Sequence, residues 1–203
     1  MLAGTNGAGK SSVGGAAIRE TGGVYFNPDE AARAILAADP ALSSREANSR
    51  AWLESKRLLE RAIDERGDFV FETTLGGQTI TELLQKAIAA GIDVRIWYVA
   101  LRSPELHIAR VRARVAKGGH DIPEADIRKR YDASRLNLVT LLPGLKAVRV
   151  YDNSEEADPC TGAPPVPRLL LHMVDGRVLA RCDLGATPEW AKAILVAARD
   201  LDP

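Results

Sequence analysis

Short apolar runs alternate along the chain with longer segments of mixed polar and apolar residues, from the N-terminus to about residue 154. Four of these runs predict strands, because they are short and are bounded by glycine, proline or charged residues. The predicted strands are 22–26, 68–72, 94–101 and 148–153. Strands that alternate with helices predict an α/β fold, with a doubly wound, mainly parallel sheet and helices on both faces.

The segments between these strands show the three- and four-residue spacing of apolar positions that is typical of amphipathic helices. Ser43 or Ser44 is predicted to cap the longest helix, and Glu46 is placed to complete a capping box. Pro104 lies in the first turn of another helix, a position that proline favours. The predicted helices are 29–38, 44–66, 79–90, 104–117, 124–140 and a last one that begins at 187–189.

The pattern changes after residue 154. Residues 154–167 are rich in proline, aspartate and glutamate and predict an exposed loop. Residues 168–173 and 177–182 then predict a hairpin, with Asp175-Gly176 as its turn. We expect a single domain over 1–203, in which the hairpin and last helix, 168–203, form an extension.

Composition excludes several classes of protein. The chain has 203 residues, of which 46% are hydrophobic, enough for one domain with a sizeable core. Its 27 basic and 27 acidic residues cancel, and only 5% of residues are aromatic, so neither nucleic acid nor membrane is an expected partner. We see no signal peptide and no membrane-length apolar run. Cys160 and Cys182 are therefore expected to be reduced thiols of a cytoplasmic protein.

The N-terminus carries the pattern of a phosphate-binding P-loop, glycine followed by four residues and then Gly-Lys-Ser. In such a loop Lys10 reaches the β- and γ-phosphates of a nucleotide, and the Ser11 hydroxyl holds Mg²⁺. The predicted cofactors are therefore ATP and Mg²⁺. The loop residues assigned to nucleotide binding are Gly4, Asn6, Gly7, Ala8, Gly9, Lys10, Ser11 and Ser12.

A buried strand should precede this loop, but only residues 1–3 stand before Gly4. Strands usually run about 5–6 residues. We therefore expect either a short central strand or a sequence that lacks part of its beginning.

The remaining motifs favour a small kinase over other P-loop proteins. The guanine-reading Asn-Lys-x-Asp of GTPases is absent from the sequence, and Asn27-Pro28 separates the strand from Asp29-Glu30, unlike the motif of motor ATPases. A kinase needs a carboxylate that accepts the proton of the acceptor hydroxyl. Asp29 is the predicted base and Glu30 the alternative, although Asp29 could instead cap the helix that it begins.

Other polar residues follow predicted strands. Glu72, Thr73 and Thr74 end the second strand and are predicted to bind the acceptor, and Glu72 is also predicted to hold Mg²⁺ through water. Asn153 follows a later strand and is predicted to contact ATP. The carboxyl ends of parallel strands face one crevice, so Asp29, Glu72 and Asn153 should all open onto it.

A lid is predicted at about residues 107–135, where two helices are joined by the glycine-containing break 118–123. Arg114 and Arg130 are the predicted catalytic arginines, and Arg114 is also assigned to ATP. Arg128 and Arg130 are only two residues apart on a helix, so both cannot face the site. His120 is predicted to contact a substrate phosphate, whereas His107 and His172 are expected to be ordinary, partly buried residues.

Taken together, the motifs resemble those of the zeta toxin family of P-loop kinases. The resemblance covers most of the sequence up to about residue 154. The segments that carry it are 3–12, 26–29, 71–74, 118–123 and 128–131.

The family resemblance implies an ATP-dependent kinase of UDP-N-acetylglucosamine or a related nucleotide sugar, together with a small antitoxin protein as a partner. It further implies that Asp29 activates the sugar hydroxyl, that Lys10 and lid arginines stabilise the transferring phosphoryl group, and that Glu72 and Thr74 lie near the sugar. His120 departs from the family pattern, where an arginine is expected. Two alternatives stay open: a kinase with another small acceptor, and a nucleotide-binding regulatory protein without transfer activity.

Overall fold

The computed structural model describes residues 1–20, 23–155 and 166–202. A six-stranded sheet lies at the centre, in the order β2-β1-β3-β4-β5-β6. The first four strands in this order run parallel, and β5 and β6 are added antiparallel. The strands are β1 Leu2–Ala3, β2 Glu72–Thr73, β3 Arg95–Ala100, β4 Ala147–Asp152, β5 Arg168–Val174 and β6 Arg177–Arg181.

Helices connect the parallel strands, as the alternating pattern predicted. The side chain of Ser43 accepts a hydrogen bond from the Glu46 amide, and the Glu46 carboxylate accepts one from the Ser43 amide at 2.9 Å, which confirms the predicted capping box. The helices are α1 Ala16–Glu20, α2 Pro28–Ala38, α3 Ser44–Asp64, α4 Gln78–Ala89, α5 Pro104–Val115, α6 Glu124–Leu141 and α7 Glu189–Leu201. A π-helical segment, Ser11–Gly15, precedes α1 directly.

The central strand β1 has two residues, and both are buried between β2 and β3. Leu2 pairs with Glu72 on one side and with Trp97 on the other. Pairing on both sides allows even so short a strand to place the loop that follows it at the carboxyl edge of the sheet.

The strand predicted over 22–26 was wrong in its described part. Val24 is 86% exposed, and only Phe26 joins the sheet edge, through an isolated parallel bridge to Phe71. The Phe26 amide donates to the Val70 carbonyl at 2.8 Å, and the Phe26 carbonyl accepts from the Glu72 amide at 2.9 Å. The predicted second strand is likewise shortened to β2; among the described residues, the bridge from Phe26 to Phe71 is the only strand pairing on its outer side.

The C-terminal hairpin and helix complete the core. β5 extends the sheet beyond β4, and β6 extends it further. Trp190 and Ile194 of α7 are buried in the same cluster as the side chains of β3 and β4, with the Trp190 and Tyr98 ring centroids 6.3 Å apart. The hairpin and α7 therefore form part of the sheet domain.

Two of the sequence predictions lie partly or wholly outside the described residues. Most of the loop predicted over 154–167, with Cys160, falls on 156–165, and Gly22 falls in 21–22. Cys182 is a free thiol, as expected. Among the residues that the structure describes, no helix has both the length and the apolar character that crossing a bilayer requires.

Candidate functional site

The P-loop links the end of β1 to the π-helical segment, and its glycines adopt conformations that other residues avoid. Gly7 and Gly9 have φ angles of +81° and +87°. A Cβ on Gly7 would lie 2.8 Å from the His107 carbonyl oxygen, and one on Gly9 would lie 2.5 Å from Asn153 Nδ2. Both positions therefore require glycine for the backbone angle and for the space that neighbouring elements leave.

The Asn153 side chain binds the backbone of the P-loop. It is buried, and its Nδ2 donates to the Ala8 carbonyl at 2.9 Å. Its own amide donates to the Ala100 carbonyl at 3.0 Å, which ties the end of β4 to the end of β3. Asn153 is not among the residues that line the cavity in front of the loop, and its predicted contact with ATP stays a prediction.

A cavity of about 1170 Å³ opens in front of the loop, bounded by the end of β2, the start of α2, α3 and the loop before α6. Gly4 and Ala8 do not line it. Gly4 packs against β3, where a Cβ would lie 1.9 Å from the Val99 carbonyl oxygen. The predicted site residues that line the cavity are Asn6, Gly7, Gly9, Lys10, Ser11, Ser12, Asp29, Glu72, Thr73, Thr74, Arg114, His120 and Arg130.

Glu72 contacts both reactive residues of the P-loop. Its Oε1 lies 3.5 Å from Lys10 Nζ, and its Oε2 accepts a hydrogen bond from the Ser11 hydroxyl at 2.8 Å. Lys10 and Glu72 are both buried, so each charge compensates the desolvation of the other. Lys10 Nζ also lies 3.5 Å from the Thr5 carbonyl oxygen.

The pair of Ser11 and Glu72 has the chemistry of a magnesium site. Hydroxyl and carboxylate oxygens are the ligands that Mg²⁺ prefers, and in nucleotide sites the ion takes one or two of them and completes its shell with phosphates and water. The described residues contain no group of three or more His, Cys, Asp or Glu side chains that could hold a metal. The two oxygen ligands of the Ser11–Glu72 pair fit an ion that is shared with a nucleotide.

The Asp29 side chain is not needed to cap α2, because Asn27 caps this helix. Asn27 Oδ1 accepts from the amides of Asp29 at 2.9 Å and Glu30 at 3.4 Å, so Asn27 caps α2 and Asp29 does not. The Asp29 carboxylate faces the cavity, where its Oδ2 lies 3.3 Å from Arg114 Nη1. Glu30 instead pairs at the surface with Arg19, at 2.6 Å. Geometry therefore favours Asp29 over Glu30 as a group that acts in the cavity.

The arginines around the break 118–123 divide into two groups. Arg114 and Arg130 line the cavity: Arg114 Nη2 donates to the His120 carbonyl at 2.8 Å, and Arg130 Nη1 donates to Asn6 Oδ1 at 2.9 Å. Arg110 lines it as well and donates to the Glu155 carbonyl at 2.8 Å. Cationic side chains therefore reach the cavity in front of the P-loop from both α5 and α6.

The other three arginines pair outside the cavity. Arg128 Nη1 lies 2.7 Å from Glu105 Oε1, so Arg128 and Arg130 face different ways, as their spacing required. Arg112 pairs with Glu124, and Arg135 pairs with Asp132. These pairs join α5 to α6 or lie along α6.

The threonines and His120 shape the cavity wall. Thr73 Oγ1 accepts from the Leu75 amide at 3.1 Å, and Thr74 Oγ1 accepts from the Gly76 amide at 3.4 Å. Both hydroxyls thus hold the turn after β2, and each keeps its own hydrogen as a donor. His120 Nε2 lies 3.0 Å from Asn48 Nδ2, which connects the break 118–123 to α3.

His107 contributes a contact that the sequence analysis missed. The residue is fully buried, whereas an ordinary, partly buried histidine was expected. The Leu101 amide donates to its Nε2 at 3.3 Å, so the ring hydrogen is on Nδ1, which donates to the Asn6 carbonyl at 2.8 Å. Burial, above all, lowers the pKa of His107 to about 4; the hydrogen bond to the Asn6 carbonyl opposes this shift, and the charge of Lys10 adds to it. A lone histidine in an amphipathic helix carries no sequence signal for this contact.

Comparison with known proteins agrees with this geometry. The family model described as Zeta toxin matches residues 1–158. The chain belongs to the zeta toxin family. The resemblance inferred from the motifs is therefore confirmed, and the match includes the P-loop, α2, β2 and the break 118–123 between α5 and α6.

Individual relatives of this zeta toxin family member share between 16% and 31% of their residues with it. An uncharacterised protein of Haemophilus influenzae is 31% identical over 128 residues, which is 63% of this chain and 88% of the relative. A solved AvrRxo1-ORF1:-ORF2 structure with ATP is 16% identical and covers 97% of this chain and 62% of its own, with a TM-score of 0.66. The PezAT toxin-antitoxin structure of Streptococcus pneumoniae is 18% identical and covers 74% and 66%, with a TM-score of 0.51. The two structures confirm the fold.

Proposed function

We propose that this chain transfers the γ-phosphoryl group of ATP to a hydroxyl group of a nucleotide sugar, with UDP-N-acetylglucosamine as the first candidate. One observation carries the proposal: Lys10, Asp29 and Arg130 line the same cavity. Its volume of about 1170 Å³ exceeds the roughly 300–1000 Å³ typical of pockets for one small ligand. A donor and an acceptor can therefore be held side by side.

The P-loop is the proposed donor site. Its backbone amides and the Lys10 ammonium bind the β- and γ-phosphates, as the motif requires. Ser11 and Glu72 are the proposed holders of Mg²⁺, which neutralises phosphate charge when it is bound. Glu72 keeps Lys10 and Ser11 aligned before the nucleotide arrives, because it contacts both.

Asp29 is the proposed base. Its carboxylate accepts the proton of the acceptor hydroxyl while that oxygen forms a bond to the γ-phosphorus and the bond from this phosphorus to the β–γ bridging oxygen breaks. ADP leaves with the bridging oxygen. The products are ADP, the phosphorylated acceptor and a proton on Asp29.

The lid, residues 107–135, is proposed to supply positive charge at the transferring group. Arg114 and Arg130 reach the cavity from α5 and α6, where they can stabilise charge on the phosphoryl oxygens. Thr73, Thr74 and His120 form the proposed acceptor wall, because they line the cavity near Asp29 and offer hydrogen-bond donors and acceptors.

A small antitoxin protein is the proposed partner. The support is family membership and the PezAT relative, which is named a toxin-antitoxin system. Copurification of the chain with the product of a neighbouring gene tests this part separately from the chemistry.

The test of the chemistry is incubation with Mg-ATP and a panel of UDP-sugars, read by mass spectrometry. We expect a product heavier than its UDP-sugar by one phosphoryl group, formed by the wild type and lost in Asp29→Asn. Wild-type protein that binds ATP but phosphorylates no member of the panel would reject the nucleotide-sugar acceptor. Full turnover by Asp29→Asn would instead reject the proposed base.

A further inference from the structure

One face of α3 forms a wall of the cavity. Arg45, Asn48, Ser49 and Trp52 all line it. Their spacing of three, four and seven residues places them on one side of an α-helix. The opposite side of α3 is held by Ala47 and Ala51, which are buried in a small cluster against α2.

Arg45 and Arg50 differ from the other three basic residues of this helix, since neither has an ion pair in the described parts of the chain, and of these two only Arg45 lines the cavity. Lys56 and Arg57 each pair with a glutamate on α3, at 2.6 and 2.7 Å, and Arg61 pairs with Glu65 at the end of the helix, at 3.0 Å. Arg45 has no ion pair within the described parts of the chain. A cationic side chain that lines a cavity without an acidic partner is available to an anionic ligand.

Trp52 presents an aromatic surface to the same cavity. It is 43% exposed, whereas the other aromatic residues, all of them in the described parts of the chain, are buried or half-buried, with Trp190 at 4% and Tyr98 at 0%. Trp52 lies seven residues after Arg45, two helical turns or about 10 Å along the axis. An indole in a cavity is a surface on which a planar ring can stack.

The loop before α6 closes over this face. The Asn48 side chain lies 3.0 Å from the His120 ring, and His120 also lines the cavity. The carbonyl of His120 accepts from Arg114, which in turn contacts Asp29. Contacts thus run continuously from the α3 face to the proposed base.

We propose that this α3 face is the specificity site for the acceptor's nucleotide part, in which Trp52 stacks on the base and Arg45 binds a phosphate. The inference rests on the proposed function, because it places the acceptor hydroxyl at Asp29. It goes further by naming the residues that distinguish a nucleotide-linked sugar from a free sugar. A free sugar lacks both the ring for Trp52 and the charge for Arg45.

The experiment measures binding by calorimetry, without turnover, for UDP-N-acetylglucosamine, ADP-glucose and free N-acetylglucosamine. Wild type is compared with Trp52→Ala, Trp52→Phe and Arg45→Ala. Arg57→Ala is the matched control, because Arg57 lies on the same helix but does not line the cavity. ATP binding is measured for every variant in parallel.

We expect at least one nucleotide sugar to bind wild type about tenfold or more tightly than the free sugar. Trp52→Ala and Arg45→Ala should each weaken that binding about tenfold to a hundredfold. Trp52→Phe should keep most of the affinity, since it keeps an aromatic ring, and Arg57→Ala should match wild type. In a turnover assay the same losses should appear in the acceptor KM with little change in kcat.

Three results would overturn the inference. In the first, wild type binds neither nucleotide sugar. In the second, Trp52→Ala and Arg45→Ala bind the nucleotide sugar as tightly as wild type does. In the third, Trp52→Ala loses as much affinity for ATP as for the nucleotide sugar. The last result would assign Trp52 to the donor base. Binding that follows the expected pattern without phosphorylation would support the α3 site and reject the proposed chemistry, so the two failures are distinguishable.

Discussion

The carboxylate of Asp29 lies 3.3 Å from the guanidinium of Arg114. The two residues lie on α2 and α5, 85 positions apart in the sequence, and each side chain is about 40% exposed. An ion pair so accessible to water contributes only about 0–1 kcal/mol. An entering acceptor hydroxyl and phosphoryl group can therefore replace it at little cost, since each side chain then gains a new partner.

Replacing Asp29 by Asn should lower kcat by about 10²- to 10⁴-fold, the usual contribution of a general base. ATP affinity should change little, because the P-loop and Lys10 hold the phosphates. Glu30→Gln is the matched control, since Glu30 is one residue away but pairs with Arg19 outside the cavity. Steady-state kinetics and ATP calorimetry on both variants check this, and an equal loss in Glu30→Gln would contradict it.

Arg114→Ala should lower kcat by about 10²- to 10³-fold, because a positive charge at the transferring phosphoryl group is lost. Arg114→Lys keeps the charge and should recover part of the rate. Arg128→Ala serves as the control, because Arg128 pairs with Glu105 and does not line the cavity. The measurement is kcat at saturating ATP and acceptor. An unchanged kcat in Arg114→Ala would show that Arg114 does not stabilise the transferring phosphoryl group.

The buried His107 should make stability depend on pH. Burial lowers its pKa from 6.5 to about 4, so the unfolded chain binds a proton at a higher pH than the folded chain does. The contribution is complete above pH 6.5 and is lost as the pH falls through about 4, by roughly 3 kcal/mol in total. His107→Gln can keep both hydrogen bonds without titrating. Urea unfolding from pH 7 to pH 4 should therefore show a smaller loss of stability in this variant.

His172→Gln is the control for the pH series. The pKa of His172 is also lowered by burial, but this residue lies on β5 and is only partly buried. Its removal should change the pH dependence less than His107→Gln does. Identical curves for wild type and His107→Gln would show that His107 does not titrate in this range.

Asn153→Ala should lower the free energy of unfolding by about 1–3 kcal/mol, because the buried Ala8 carbonyl loses its Asn153 donor. The P-loop should also hold its shape less well, so ATP affinity should fall. Thr140→Ala, at an exposed position on α6, should stay within about 0.5 kcal/mol of wild type. Denaturant unfolding and ATP calorimetry measure both effects; ATP affinity equal to wild type in Asn153→Ala would contradict the proposed support of the loop.

Prediction from sequence succeeded where the chemistry is local. The P-loop glycines, the Ser43 capping box and the boundaries of most helices depend on neighbours within a few residues. That Arg128 and Arg130 face different ways followed from helix geometry, and their contacts agree, since Arg130 donates to Asn6 and Arg128 to Glu105. The strand expected around Val24 failed because pairing with a distant edge, and not local β propensity, decides whether such a segment joins a sheet.

The sequence by itself determined a P-loop in an α/β sheet, a carboxylate, Glu72, at the end of a strand beside that loop, and a group of arginines around the break 118–123. Only the tertiary structure decided that His107 donates to the Asn6 carbonyl, that Asn153 donates to the Ala8 carbonyl of the P-loop, and that α3 forms one side of the cavity. These contacts join residues about 100 or more positions apart, or elements that meet only in the packed domain. Local preferences fix backbone conformation over a few residues, whereas such contacts form only when the whole sheet and its helices pack.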